Sequence, residues 1–285
     1  MNKMVGRVAA LVMMGTLIAC GGGVENPGGT QQGGPGATSG DYGGGVGGAE
    51  WLETSGVGGG SAGGGPDGQE VGESCDGKFT GRVRDFHDTH PDMEPAHSGK
   101  CDSCDDHEIV TDELGQDLKP IYAGGATGTQ TTTGKEAFDQ WFRDVEGVNS
   151  PMNITLQFVE SEQPGVWTYD NQLFFPVDDQ LFGNEGREHN YHFTFEMHMG
   201  FEYQGGEEFT FAGDDDVFTY INGKKVVDLG GIHPQQTEVV RLDELGLEIG
   251  KKYQLDFFFA ERHVTDSHFR IDTTIKFINC GLEVK

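Results

Sequence analysis

The stretch Tyr191-His192-Phe193-Thr194-Phe195-Glu196-Met197-His198-Met199-Gly200-Phe201-Glu202-Tyr203 alternates large apolar and polar side chains almost without a break. Successive side chains of an extended strand point to opposite faces. Tyr191, Phe193, Phe195, Met197, Met199, Phe201 and Tyr203 therefore share one face, while His192, Thr194, Glu196, His198 and Glu202 share the other. A helical period would scatter the same aromatic residues around a cylinder. The segment reads as a β-strand with one side made for a core.

Working outward, the same period recurs. Phe209 and Phe211 continue it beyond the turn at Gly205-Gly206. Val217 to Ile221 and Lys224 to Leu229 flank Asn222-Gly223, a pair whose residues both accept the positive φ of a tight hairpin turn. Tyr253, Leu255, Phe257 and Phe259 form another alternating set, and Phe269, Ile271, Thr273, Ile275 and Phe277 the last. Met152, Ile154, Leu156 and Phe158 form an earlier one. One segment breaks the pattern: Thr133 and Glu136 have the spacing of a capping box, and Phe138, Trp141, Phe142 and Val145 follow at helical spacing. These aromatics are expected in the core. The expectation is an all-β domain of two packed antiparallel sheets with one short helix laid against them.

The N-terminal quarter obeys different physics. Lys3 and Arg7 precede an uncharged apolar run from Val8 to Ile18. That run is shorter than the roughly 20 residues a membrane span needs, and it reads as the core of a secretory signal. Leu17-Ile18-Ala19-Cys20 resembles the bacterial lipobox, which implies lipidation of Cys20 and a mature chain beginning there. Residues 1–19 are thus a signal peptide and residues 20–74 a glycine-rich tether too poor in apolar surface to fold. As a random coil the tether would reach roughly 35 to 45 Å. Residues 75–285 form the domain. The anchor is the expected membrane contact, in the outer membrane if the cell has one, with the domain exposed to periplasm or cell surface. The formal net charge of −28 argues against nucleic acid and anionic surfaces and favours cations.

Four cysteines follow Cys20: Cys75, Cys101, Cys104 and Cys280. An even number in an exported chain suggests two disulfides, with three possible pairings. Cys101 and Cys104, with His87, His90, His97 and His107 nearby in sequence, also leave zinc open. A local disulfide is the preferred reading in an oxidising compartment.

The segment from Phe211 to Gly223, Phe-Ala-Gly-Asp-Asp-Asp-Val-Phe-Thr-Tyr-Ile-Asn-Gly, is followed by Val227-Asp228-Leu229-Gly230-Gly231-Ile232-His233. Arg84-Asp85-Phe86, His90-Pro91-Asp92, Trp141-Phe142-Arg143-Asp144, Phe174-Phe175-Pro176, His192-Phe193-Thr194, Ala260-Glu261-Arg262-His263 and Ser267-His268-Phe269-Arg270-Ile271 occur around it. Together, from about Lys78 to Phe277, these motifs resemble the fibro-slime domain, a relative of the PA14 β-sandwich. The resemblance implies a calcium ion held by the adjacent pair Asp214 and Asp215 and contacting sugar hydroxyls, with a second loop, His263 to Ser267, supplying Asp266. Calcium takes six to eight oxygen ligands, so successive carboxylates at a strand end suit it. Asp216 stands where relatives often have Gly. With Asn222, His263 and Ser267 it is a candidate ligand contact. The resemblance also sets the end strands side by side, implying a Cys75–Cys280 bond. Without an ion, the three aspartates form an acidic turn capping backbone N–H groups, with repulsion of about 1 kcal/mol per close exposed pair.

Gly-x-Ser-x-Gly, His-Glu-x-x-His and phosphate-binding glycine loops are absent. Asp256 and Glu261 could serve as a glycosidase pair in principle, but no catalytic residue is assigned. The expected function is calcium-assisted binding of a surface or matrix glycan, in adhesion. The alternative is a structural or matrix protein with a purely structural calcium, and a glycoside hydrolase ranks third.

Overall fold

A computed structural model describes residues 75–281. Cys20, the signal and the tether lie outside the described residues. The strands are β1 (Lys78–Phe86), β2 (Cys104–Asp105), β3 (Val110–Leu114), β4 (Pro120–Tyr122), β5 (Asn149–Gln157), β6 (Val159–Glu160) and β7 (Trp167–Asn171). They continue with β8 (Phe193–Glu202), β9 (Glu208–Gly213), β10 (Asp216–Ile221), β11 (Lys224–Leu229), β12 (Gly231–Ile232), β13 (Gln236–Arg241), β14 (Lys252–Glu261) and β15 (Phe269–Thr273). One sheet has the order β4-β3-β11-β10-β14-β8-β1-β5, the other β13-β9-β15-β7-β6, and β12 pairs with β2 separately. Neighbouring strands run antiparallel. The molecule is an all-β sandwich, as its alternating pattern requires.

Between the sheets, Phe193, Phe195, Met197, Met199 and Phe201 of β8 meet Phe209 and Phe211 of β9 and Phe269 of β15. The turn at Gly205-Gly206 therefore does not extend one strand; it carries the chain from the first sheet into the second. Phe257 shows the interlock, with ring centroids 5.4 Å from both Phe211 and Phe269. Each such aromatic pair adds about 0.5–1.5 kcal/mol beyond the area it buries. The Asn222-Gly223 hairpin joins β10 and β11 as expected, with φ of 53° and 72°. The last alternating set ends as a strand at Thr273, although Ile275 and Phe277 remain buried in the core.

The helix is shorter than the periodicity predicts. It spans one turn, Lys135–Phe138, and no side chain caps it. Thr133, the expected cap, instead donates from its amide and its hydroxyl to Asp92 Oδ1, both at 2.7 Å. Phe138, Trp141 and Phe142 are nonetheless fully buried, against Phe218, Tyr220 and Phe258 on the outer face of the large sheet. That sheet is thus covered on both sides. In β14, Leu255, Phe257 and Phe259 enter the inter-sheet core, while Phe258 and Ala260 enter the second cluster. The polar face of β8 is buried with it.

Among the described residues two disulfides are present, Cys75–Cys280 and Cys101–Cys104. His87, His90 and His107 turn to separate partners, Glu185, Gln140 and the Asp228 carbonyl. Zinc at Cys101 and Cys104 is therefore not the state seen.

Candidate functional site

Asp214 and Asp215 lie where the chain crosses from β9 in one sheet to β10 in the other. Gly213 permits the crossing: a Cβ there would sit 2.4 Å from the His268 carbonyl oxygen and 2.5 Å from the Phe211 ring. Asp215 takes the left-handed conformation, φ 50°. The loop between β14 and β15 runs alongside. The His268 amide donates to Asp214 Oδ2 at 2.9 Å and its Nδ1 at 2.5 Å, and the Arg262 amide donates to Asp215 Oδ2 at 2.9 Å. Both aspartates are therefore oriented by the loop expected to face them.

Behind them sits a buried charge lattice. Asp216 Oδ2 accepts from Arg262 Nε at 2.5 Å, and Oδ1 accepts from the Gly231 amide at 2.9 Å. Arg262 also donates to the carbonyls of Asp92 and Thr131 and lies 4.6 Å from the centroid of Trp141. Desolvation pushes the Asp215 carboxyl up to about 6, and the neighbouring Asp216 charge adds to this. Burial likewise raises Glu261, which faces the Asp215 carboxylate, well above its ordinary value. Glu261 Oε2 and Ser267 Oγ are buried and make no hydrogen bond of good geometry, although the two side chains approach each other.

A cavity of about 420 Å³ opens in front of this crossing, with Asp214, Asp215, His263, Thr265, Asp266 and His268 on one side. Opposite are Asp102 and Ser103 of the disulfide loop and Ile232 to Gln235 after β12. The β2–β12 pair brings that wall into place, with Gly231 opposite Asp105 and Ile232 opposite Cys104. A more apolar cleft of about 250 Å³ beside Cys75 and Trp167 carries no comparable cluster of acids.

The structure thus gathers Asp214, Asp215, Asp266 and His263 around one cavity. Three other expected contacts fall elsewhere. Asp216 is fully buried and spent on Arg262 and Gly231, because the crossing between the sheets turns it away from the opening. Asn222 is exposed at the far end of β10, roughly 20 Å away at about 3.3 Å per residue. Ser267 is buried behind the loop and does not line the cavity. Conversely, His233, His268, Asp102 and Ser103 line it without having been assigned a role. His268 and His233 stood within quoted motifs, whereas Asp102 and Ser103 gave no signal beyond the cysteines beside them.

Asp256 and Glu261, the carboxylates weighed for glycoside hydrolysis, are five positions apart on β14 and so on opposite faces of the sheet. Their separation is roughly 16 Å, beyond the roughly 5–9.5 Å that glycosidase pairs span. Asp256 is bonded instead to His198 Nδ1 at 2.6 Å.

For a calcium ion the donor chemistry fits: adjacent carboxylates and a third on the facing loop. Asp214 Oδ1 and the Asp266 carboxylate receive no hydrogen bond among the described residues. The donors are not drawn together beforehand, because among the described residues no three His, Cys, Asp or Glu side chains converge as a metal-binding group.

Fold and cavity together define a β-sandwich with an acidic, loop-borne site. Residues 155–278 match the family model of the PA14 domain. The match includes Asp214, Asp215 and Asp266 and leaves out Asp102 and Ser103. Curated relatives from Dictyostelium discoideum include Protein psiQ, 41% identical over 182 residues, and Protein psiC, 38% identical over 193. The alignments cover 59% and 61% of this chain but 18% and 37% of those proteins. The chain thus spans well under half the length of these relatives. Solved structures with similar segments include a PA14 sugar-binding domain from an RTX adhesin, with 12% identity, TM-score 0.26, and coverage of 39% of this chain and 71% of that one. Another is the PA14 domain of the MpAFP antifreeze protein, with 13% identity, TM-score 0.24, and coverage of 39% and 66%.

Proposed function

We propose that the domain is a calcium-assisted carbohydrate-binding module, used in adhesion and displayed on a lipid anchor at Cys20. The observation that carries this reading is the cavity at the Asp214–Asp215 crossing, inside the segment that matches the PA14 family. Asp214, Asp215 and Asp266 would hold the ion, with backbone carbonyls filling further positions. A bound calcium supplies a positive centre for a pair of sugar hydroxyls. The chain's own residues orient it: His268 and the Arg262 amide fix the two aspartates, and His263 stands at the rim. Asp256 and Glu261 lie on opposite faces of β14, too far apart for a glycosidase pair, which supports binding over cleavage.

The test is calorimetry and melting of the full chain with calcium. Calcium at a hundredfold excess over Kd stabilises the native state by about 2.7 kcal/mol. For a domain of this size that raises Tm by about 5–10 °C. Asp214→Asn and Asp215→Asn should abolish the rise. Magnesium should substitute poorly, since it demands a tight octahedron and releases water reluctantly. A glycan array with and without chelator then tests sugar binding. No calcium binding at millimolar ion would refute the reading. Cys20→Ser should move the protein from membrane to soluble fractions, and unchanged partitioning would remove the anchor.

One observation favours a second reading, a structural calcium. Both aspartates already accept backbone amides across the crossing, as turn-stiffening groups do. Calcium-dependent melting without any glycan signal on the array would support it.

A further inference from the structure

A β-sandwich leaves the last strand of each sheet with one unpaired side, and exposed edges are usually guarded by charge, proline or short length. β4 and β6 are short, at 3 and 2 residues. β13 carries Glu238 and Arg241. β5 ends the large sheet with 9 residues, Asn149–Gln157, none of them charged, in a chain of formal net charge −28.

The free side of β5 resolves residue by residue. The Phe158 amide donates to the Gly77 carbonyl at 2.7 Å, in the same register that sets Lys78 opposite Gln157. Alternation in an antiparallel ladder then turns the backbone groups of Met152, Ile154 and Leu156 towards β1, and those of Asn153, Thr155 and Gln157 away from it. Among the described residues no partner takes these outward amides. Pro151 also occupies an outward position, where an edge strand loses no ladder bond. The Asn149 amide is closed by the Val145 carbonyl at 3.1 Å. The open stretch therefore runs from Pro151 to Gln157, about 20 Å at about 3.3 Å per residue. Its inner row, Met152 and Ile154, packs on the inter-sheet core yet is only partly buried, while Asn153 and Thr155 are exposed.

We infer that β5 is a self-association edge, on which a second copy of this chain pairs antiparallel about a two-fold axis at Ile154. In that arrangement the strand is self-complementary. Asn153 of one copy and Thr155 of the other exchange amide and carbonyl in both directions, and each Gln157 amide meets a Pro151 carbonyl. The inner row closes as well, with Ile154 against Ile154 and Met152 against Leu156. Charge selects the occupant. Two chains of this net charge repel over most approaches, and a strand without charge lets them touch where no like charges are opposed. A charged peptide, by contrast, would find no counter-charge along this strand. One pair of strands is narrow for an interface, so the association belongs to the weak, transient class. It needs neither the cavity nor an ion.

The test is sedimentation and residue-resolved amide exchange of the full chain carrying Cys20→Ser, so that a lipid anchor does not gather copies by itself. Both are run in chelator at chain concentrations from about 10 μM to about 1 mM, the range of weak association. A dimer should accumulate with concentration, and the amides of Asn153, Thr155 and Gln157 should become protected in parallel. Raising salt should tighten the dimer about threefold, because screening removes the repulsion between acidic chains. Thr155→Pro deletes an outward amide without touching the pairing with β1, and the two-fold axis counts the loss twice, so the dimer should weaken about tenfold or more. Thr155→Glu keeps the amide but sets like charges at the seam, and should weaken the dimer about threefold in low salt with Tm unchanged within about 2 °C. A chain that stays monomeric at about 1 mM, or a dimer insensitive to both substitutions, overturns the inference. Amides already protected in the monomer overturn it as well, since another part of the same chain then fills the edge.

Discussion

Arg262 does more for the site than any residue that lines it. Its side chain is wholly enclosed, its Nε is paired with Asp216, and its amide orients Asp215. Desolvation works against its charge, yet Asp216, Asp215 and Asp92 outweigh this and hold its pKa above the usual value. Removing one partner of such a pair strands a buried charge, at a penalty of about 3–5 kcal/mol. Asp216→Ala should therefore lower the unfolding free energy by about that amount, and calcium should still raise the variant's Tm. Asp214→Asn should do the reverse, with a small loss of stability and no response to calcium. Denaturant melts of both variants with and without calcium decide the matter. A calcium-blind Asp216→Ala that still folds would make Asp216 one of the ion's ligands. Among three adjacent aspartates, the sequence offered no means of separating these roles. Alternation alone assigns Asp214 and Asp216 to one face, and only the crossing between sheets turns one outward and the other in.

At the scale of elements, the strands were legible because period two encodes them directly, and β8, β14 and the β10–β11 hairpin fall where alternation places them. The helix was overread because its pattern is tertiary in origin: Phe138, Trp141 and Phe142 are buried by contact with β10 and β14, while Thr133 serves Asp92. The polar face of β8 was legible as polar but not as buried. There Glu196 accepts from Lys119 Nζ at 2.6 Å and from Arg84 Nη2 at 3.0 Å, and His198 lies between Glu196 and Asp256. Burial opposes charge on Glu196, but His198, Arg84 and Lys119 outweigh it and lower its pKa to about 2. Burial also opposes charge on His198, and its bonds to Asp256 and Glu196 raise its pKa nonetheless. A depressed carboxyl adds stability above its unfolded value, near 4.5, that is lost as pH falls towards 2. A raised imidazole adds stability below its unfolded value, near 6.5, that is lost as pH rises through the folded one. Both contributions are complete only between about pH 4.5 and 6.5. Stability should decline on the alkaline side of this window, and His198→Gln should flatten that decline. Urea midpoints at pH 6 and pH 9 measure it, and an equal wild-type and variant slope would show that the imidazole is uncharged in the fold.

Across the whole molecule, the two ends of the described chain meet. Cys75 is bonded to Cys280 at a sequence separation of 205, Thr80 forms a bridge with Gly281, and the Thr80 amide donates to the Cys280 carbonyl at 3.0 Å. The Cys101–Cys104 bond closes a separation of only 3, next to the cavity. In the chain-entropy account a cross-link stabilises by restricting the unfolded chain, and the effect grows with the logarithm of the loop. The long loop is then worth about 5 kcal/mol and the short one about 2 kcal/mol. At roughly 2–4 °C per kcal/mol for a domain of this size, Cys75→Ser with Cys280→Ser should lower Tm by about 10–20 °C. Cys101→Ser with Cys104→Ser should lower it by less than half as much. The two pairs therefore divide the labour by loop length: one closes the sandwich, and the other fixes a few residues at the cavity rim. Scanning calorimetry of the two double variants separates these contributions. Equal losses of Tm would mean that local strain or packing, rather than the entropy of the unfolded chain, sets what each bond contributes.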